Sequence, residues 1–540
     1  MMKKMHICTI LCIAGSLGLS VGSVGCGNSE SANTAKGVSA DTASVLQDSA
    51  DTDGAAADVE QFSGEDMEEI TMLYPSLGPV PTGLDSVEAE INAITENEIN
   101  THVNIEIYEI GNYDQQVGLM MSSGESVDLM LTLPSGAAGF SSMQMQGQLM
   151  DMTGLLEEYG APVLDTMGEL IQGTTVGGKI YGVCGYRNLV SGEYIVMRTD
   201  VLEDLGLLEK AQNMSSFSEY EEILEAVAAS EKWSYLSGLV GSGQGNTLLQ
   251  QGGFCSEDAF DELGLFDTLG DTYKVISIDP NGNVPTVRMT FGTEEYKKIY
   301  ERVKRWYDAG YIYKDSATTQ ETGTDLIKNN VGFSVICDGE YGIEASKAAD
   351  CGMPVTCVKI IDYPITTGSC TKFTWVIPST SKSPEAAVTF MNMMYTDSRI
   401  ANLLAWGIEN VDYEVVDGEA CFIEGNENPA YHTMDFLYGN QFITLPWEGS
   451  GANMREETLE AMNNAVYSAY MGFSCDTSSV ANEISAVSNC LSEFRPQIET
   501  GMASGEVFNN FLEKLEASGV DKIVDCYQQQ LDAWLNNEAE

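Results

Sequence analysis

Histidine is almost missing from this chain: there are three in 540 residues, and His6 lies in the first ten. His102 and His432 remain, too few for a histidine-rich zinc site and poor material for a Ser-His-Asp triad. Basic residues are scarce as well, 26 Lys and Arg against 81 Asp and Glu, for a formal charge of −55. So acidic a surface repels polyanions, which argues against nucleic acid partners and against docking on anionic headgroups. Its plainest role is to keep an exposed protein soluble. The 13 cysteines include no CxxC. Cys351 and Cys357 stand close enough to pair, but the scattered set reads as small buried hydrophobes with free thiols. No nucleophile elbow or metal box is present, and Gly241-Ser242-Gly243-Gln244-Gly245 lacks the lysine of a phosphate loop.

What the N-terminal segment does have is direction. Lys3 and Lys4 precede an apolar run from Ile7 to Val21, and small residues lead to Cys26. This is the pattern of a secretory signal peptide, too short and too broken by Gly and Ser for a transmembrane helix. Ser23-Val24-Gly25-Cys26 resembles a bacterial lipobox, with Ser23 where Leu is usual. That resemblance implies removal of residues 1–25 and acylation of the Cys26 thiol, palmitate included. The chain would then be held at the extracellular face of the cell membrane by lipid alone. Residues 26–65 are rich in Ser, Ala, Thr, Asp and Gly, carry Lys36 as their only basic residue and read as a flexible tether. Asp51-Thr52-Asp53-Gly54 with Glu60 is a faint calcium-loop pattern without flanking helices, better read as a solvated spacer. No metal or cofactor is expected.

Beyond residue 65 the chain is too long for one core, so two lobes are expected. A short strand at Glu69–Leu73 precedes a helical pattern at Ser86–Asn100 that sets Val87, Ile91, Ile94 and Ile99 on one face. An alternating strand at His102–Tyr108, a helix at Asp114–Ser123 and a buried strand at Val127–Thr132 follow. Strand-helix-strand-helix-strand is the opening of an α/β lobe with a largely parallel sheet. Further βα units recur at Tyr194–Met197 with Thr199–Leu205 and at Val331–Ile336 with Gly342–Ala348. Helices predominate after Ser383.

Several strings, in order, carry a family resemblance. They are Ser123-Gly124-Glu125-Ser126-Val127-Asp128-Leu129, Gly178-Lys179-Ile180-Tyr181-Gly182-Val183 and Ser381-Lys382-Ser383-Pro384-Glu385-Ala386-Ala387 with Phe390-Met391-Asn392. Trp406-Gly407-Ile408-Glu409 with Asp412-Tyr413, Gly439-Asn440-Gln441-Phe442, Gly472-Phe473-Ser474-Cys475-Asp476 and Ala517 through Trp534 complete the set. The chain resembles the family 1 extracellular solute-binding proteins of ABC importers, most closely the LipO-like carbohydrate-binding lipoproteins, from about Glu69 to Trp534. Cys184 and Asn410 depart from the usual Pro and Gly. The resemblance implies an α/β, two-lobed, type II periplasmic-binding-protein-like fold with a ligand cleft between the lobes. On that reading residues 66–186 with 371–447 form the N-terminal lobe and 187–362 with 452–540 the C-terminal lobe, and 363–370 and 448–451 are crossings. Most of the motif residues read as scaffold: Ser383-Pro384-Glu385 is a helix start with Pro at the first turn.

In open α/β sheets, ligands sit beyond the carboxyl ends of strands. Pyranose faces pack on aromatic rings, and sugar hydroxyls need directed donors and acceptors. The loops so placed offer Tyr74, Thr132, Tyr186, Arg187, Asp338, Tyr341, Trp375 and Trp447 as ligand contacts. Arg187 is the leading polar candidate because its planar fork can bridge two hydroxyls. The implied function is a lipid-anchored, monomeric receptor, not an enzyme, that captures a sugar or oligosaccharide and delivers it to the transmembrane subunits of an ABC permease. Two alternatives stay open: a receptor for peptides or other small solutes on the same fold, and a carboxylate-pair glycoside hydrolase.

Overall fold

Alternating burial along β2 (Thr101–Glu109) makes an edge strand with one wet face, while β1 (Glu68–Ser76) beside it is buried from Met72 to Ser76. The two run parallel in register from Glu68↔Thr101 to Ser76↔Glu109. Helix α1 (Leu84–Glu98) connects them and buries Val87, Ile91 and Thr95. Helix α2 (Ile110–Ser123) stops at Gly124 in the left-handed region and feeds β3 (Leu129–Leu131), parallel to β1. The computed structural model describes residues 67–241, 253–262, 264–340, 342–426, 428–450 and 453–538, all within a compact unit that begins at Asp66. Cys26, the tether, Tyr341 and residues 242–245 of the glycine loop lie outside the described residues.

Two sheets organise this unit. After β4 (Val183–Cys184) come β5 (Ser191–Arg198), β6 (Ser237–Val240), β7 (Gly332–Glu340) and β8 (Val355–Asp362), then β9 (Thr374–Val376). The first sheet has the order β2-β1-β3-β9-β4 and the second β8-β5-β7-β6. Each is parallel except for one strand, β9 in the first and β5 in the second, which runs against both neighbours. The reversed strands are the two that the chain enters directly from the other sheet. The largely parallel sheet expected from the βαβαβ opening therefore holds only in part, because a strand arriving from the other sheet is not bound by the crossover that makes successive strands of one sheet parallel.

One core draws on residues from Ile70 to Val190 and again from Ile365 to Met462. The other draws on Ile195 to Ile361 and on Tyr470 to Leu531, and a small cluster around Val196, Val335 and Cys337 covers the far face of the second sheet. Helices α3 (Phe217–Ala229) and α4 (Glu294–Asp308) serve this second core, and α5 (Ile343–Cys351) covers its smaller cluster. Helices α6 (Pro384–Thr396) and α7 (Ser398–Trp406) return to the first core. Helix α8 (Met454–Asn464) still packs Met462 there, whereas Ser468 Oγ donates to Asp267 of the second at 2.6 Å. The third passage of the chain thus lies after α8 rather than at 448–451. Helices α9 (Ala481–Glu499), α10 (Gly505–Ala517) and α11 (Val520–Glu538) close the second lobe.

The motif strings prove to be joints. Asp128, buried at the entry to β3, accepts from Thr71 N at 3.0 Å and, through its other oxygen, from Ser381 Oγ, Lys382 N and Ser383 N at 2.7, 2.9 and 3.2 Å. A carboxylate distant in sequence thereby satisfies backbone donors at the start of α6, while the Ser383 hydroxyl bonds Glu68 instead of capping its own helix. Asp412 works in the same way, taking Ile408 N at 2.9 Å and Tyr431 N at 3.1 Å.

Candidate functional site

The chain leaves β4 as Gly185-Tyr186-Arg187-Asn188, beyond the carboxyl end of that strand and beside the start of β9, where Gly185 N donates to Phe373 O at 3.4 Å. The string Gly439-Asn440-Gln441-Phe442 holds this segment from the other side. Tyr186 N donates to Gly439 O at 2.8 Å, Gln441 N to Tyr186 O at 2.9 Å, and Asn188 N to Gln441 Oε1 at 3.1 Å. Gly439 has φ 46°, and a Cβ there would meet Met394 O at 2.2 Å, so no other residue fits. Asn440 is locked by Tyr395 O and Phe442 N. The result is a rigid seat for Tyr186 and Arg187 at the first crossing.

Across from this seat is the carboxyl end of β7, Asp338-Gly339-Glu340. Asn188 Nδ2 reaches Glu340 Oε2 at 3.4 Å, a direct polar link from the crossing to the second lobe. Glu340 is open to solvent yet has protein on both sides; desolvation raises its carboxyl, opposed by Arg187 and Lys372. Lys372 is lowered by desolvation and by Arg187. Arg187 donates Nη1 to Asn188 O at 3.0 Å, and among the described residues no ion pair ties it or Lys372 to a carboxylate. Asp435 also bears on Glu340, and is itself held by Arg455. Donors and acceptors of both signs thus face one another without neutralising one another. Tyr186 lies half-buried against Phe442, edge to face at 5.2 Å between ring centres, and supplies a flat apolar wall.

Tyr186, Arg187 and Asp338 of the expected contacts converge here. Tyr74, Thr132 and Trp375 do not: all three are 0% exposed and so offer no face to a solute. Tyr74 shares a hydroxyl contact with Tyr431 at 3.2 Å and packs edge-on against Trp375 and Tyr438. Trp375 Nε1 donates to Leu437 O at 3.0 Å, and Thr132 Oγ1 to Thr374 O at 3.2 Å. Tyr74, expected in a loop after the first strand, and Trp375, expected in a crossing, instead lie within β1 and β9, and the segment around Leu437 and Tyr438 packs against both rings. Trp447 is half-buried in a separate nest with Trp406, Phe422 and His432, at ring separations of 4.9, 4.8 and 4.5 Å. Burial there pushes His432 down to about 4, so its ring is neutral at physiological pH. Reading the sequence missed Lys372, Asp435, Gln441 and Phe442 as site residues. The last two stand in a string whose Gly and Asn were legible, but whose partner across the fold was not.

A further cavity, about 400 Å³, is lined where the chain passes between the sheets, by Val190, Lys359, Asp362, Tyr363, Glu460 and Val466 among others. Among the described residues no group of three or more His, Cys, Asp or Glu is placed to hold a metal, and no helix is long and apolar enough to cross a membrane.

The family described as bacterial extracellular solute-binding protein matches residues 89–418, and a domain of unknown function matches residues 469–536. A carbohydrate ABC transporter substrate-binding protein of Streptococcus pneumoniae serotype 4 is 24% identical over 471 residues, 86% of this chain and 90% of that protein. The crystal structure of an N-glycan transport solute binding protein from Streptococcus pneumoniae superposes with a TM-score of 0.72 at 22% identity, covering 87% of this chain and 100% of the other. Its complex with Man1GlcNAc superposes with a TM-score of 0.61 at 21% identity over the same shares.

Proposed function

Because the chain belongs to the bacterial extracellular solute-binding proteins, we propose that it is the receptor of a carbohydrate ABC importer, taking an oligosaccharide between its two lobes. One observation carries the choice of ligand: the cations Arg187 and Lys372 stand near Glu340 without an ion pair among the described residues, beside the Tyr186–Phe442 wall. Donors and acceptors flanking an aromatic surface match a ring with hydroxyls on its edge and C–H groups on its face. Opposed charges within one site also favour a neutral polyol over an anion, in keeping with the acidity of the chain. The relatives named for carbohydrate and N-glycan transport support the same reading.

Tyr186, Arg187, Asp338 and Glu340 are the direct contacts in this proposal. The site captures and releases its ligand unchanged, and delivery goes to a membrane permease. Hinge closure around the ligand occurs at the three passages, near Gly185–Ser191, Asp362–Cys370 and Ala465–Ser468. The mature chain is held at the membrane through lipid on Cys26 and acts as a monomer. A thermal-shift and calorimetry screen against N-glycan-type oligosaccharides, other neutral oligosaccharides and peptides tests the reading. Saturable binding of an intact oligosaccharide, weakened about tenfold or more by Glu340→Gln, is the expected result. Binding of peptides alone, or hydrolysis of the glycan, overturns it.

A further inference from the structure

Helix α11 brings Cys526 against the segment that follows the last passage between the lobes. Cys526 Sγ contacts Asp476 O at 3.6 Å, and the Gln530 side chain clamps the same residue, Nε2 donating to Asp476 O at 2.8 Å and Oε1 accepting from Asp476 N at 2.9 Å. The residue before Asp476 is Cys475, so the Cys526 sulfur lies against the backbone that directly follows the other cysteine, and the two thiols interact electrostatically. Both side chains are partly open to solvent, unlike Cys184 and Cys370, which also touch but are buried in the first core. The two partners are unequal. Gln530 Nε2 lies 3.2 Å from Cys526 Sγ, so the side chain that clamps Asp476 also fixes this sulfur. Desolvation and the neighbouring thiol raise Cys475, which keeps its proton.

We propose that Cys475 and Cys526 form a reversible dithiol–disulfide site that ties helix α11 to the segment after the last passage, with low-molecular-weight disulfides as the oxidant class. Cys526 gives up its proton and attacks one sulfur of the small disulfide, forming a mixed disulfide and expelling one small thiolate. Cys475 then gives up its proton and attacks the Cys526 sulfur, forming the protein disulfide and expelling the second small thiol. Two protein thiols are oxidised, one small disulfide is reduced to two thiols, and two protons pass to the leaving groups. Both cysteines lie inside the C-terminal domain of unknown function.

The test treats the full chain with oxidised glutathione at mildly alkaline pH and maps cysteine peptides by mass spectrometry. The expected result is loss of two thiols, a Cys475–Cys526 cross-linked peptide and a higher unfolding temperature, all reversed by dithiothreitol. Cys475→Ser should stop at a glutathione adduct on Cys526, and Cys526→Ser should leave Cys475 reduced. Oxidation in urea should scatter the cross-links, because native geometry no longer selects the pair. The proposal is overturned if the native chain stops at adducts without a cross-link, if another pair oxidises first, or if native and unfolded patterns coincide.

Discussion

Replacing Trp375 with Ala separates a core role from a ligand role. The indole is fully buried, meets Tyr74 edge to face at 6.2 Å between ring centres and donates to Leu437 O. Burying an aromatic of this size removes about 150–250 Å² from water, worth about 4–6 kcal/mol at 25 cal/mol per Å². Truncation of a buried Trp commonly costs about 3–5 kcal/mol, and the orphaned Leu437 carbonyl adds about 1 kcal/mol. Trp375→Ala is therefore expected to destabilise the first lobe by about 5 kcal/mol, and Trp375→Phe, which keeps most of the area, by about half that. For a lobe of this size the loss corresponds to about 2–4 °C in Tm per kcal/mol. The assay is urea unfolding followed by near-UV circular dichroism, with oligosaccharide affinity measured on the fraction that stays folded. Trp447→Ala provides the contrast, since its half-exposed ring leaves less area to lose. If Trp375→Ala costs less than about 2 kcal/mol in stability but weakens ligand roughly thirtyfold, the indole reaches the solute and its placement behind the cleft is wrong.

Asp128→Ala strands four donors at the junction of β3 and α6 and should cost about 3 kcal/mol or more by urea unfolding, without changing affinity in the surviving fold. Glu193 is fully buried opposite Asp338 on the paired strand, its Oε2 accepts from Cys255, and desolvation pushes its carboxyl up to about 8. Its folded pKa lies above the unfolded value, so the folded state holds the extra proton and stability falls between about pH 4.5 and 8, by a total on the order of 5 kcal/mol. Glu193→Gln should flatten that slope in unfolding curves taken from pH 5 to 8; an unchanged slope refutes the assignment. Lys274, lowered to about 8 chiefly by desolvation, contributes the opposite slope above that pH, so the wild type should show a shallow minimum in stability near pH 8. Cys26→Ser should release the chain from membranes into the medium, and retention of the variant on membranes counts against the lipid anchor.

The local features of this protein are written where they occur. Alternation in Thr101–Glu109, the 3.6-residue spacing of Val87 and Ile91, and the Pro at the start of α6 fix strand, helix and helix start through interactions that span a few residues. The seat of the proposed site was legible in the same way, since Gly185–Asn188 follows one strand and Asp338–Glu340 ends another, and they carry Tyr186, Arg187 and the acids. Three things depended on contacts far apart in sequence. The direction of β5 and β9 followed from which lobe the chain came from, a fact no local pattern encodes. Ser383 lost its capping role to Asp128 because the carboxylate arrives from another strand with better reach to several donors. Tyr74 and Trp375 look like ligand contacts by position and chemistry, yet the segment around Leu437 and Tyr438 packs over them and turns two candidate stacking rings into core. Sequence set which residues could bind, and long-range packing decided which of them face the solvent.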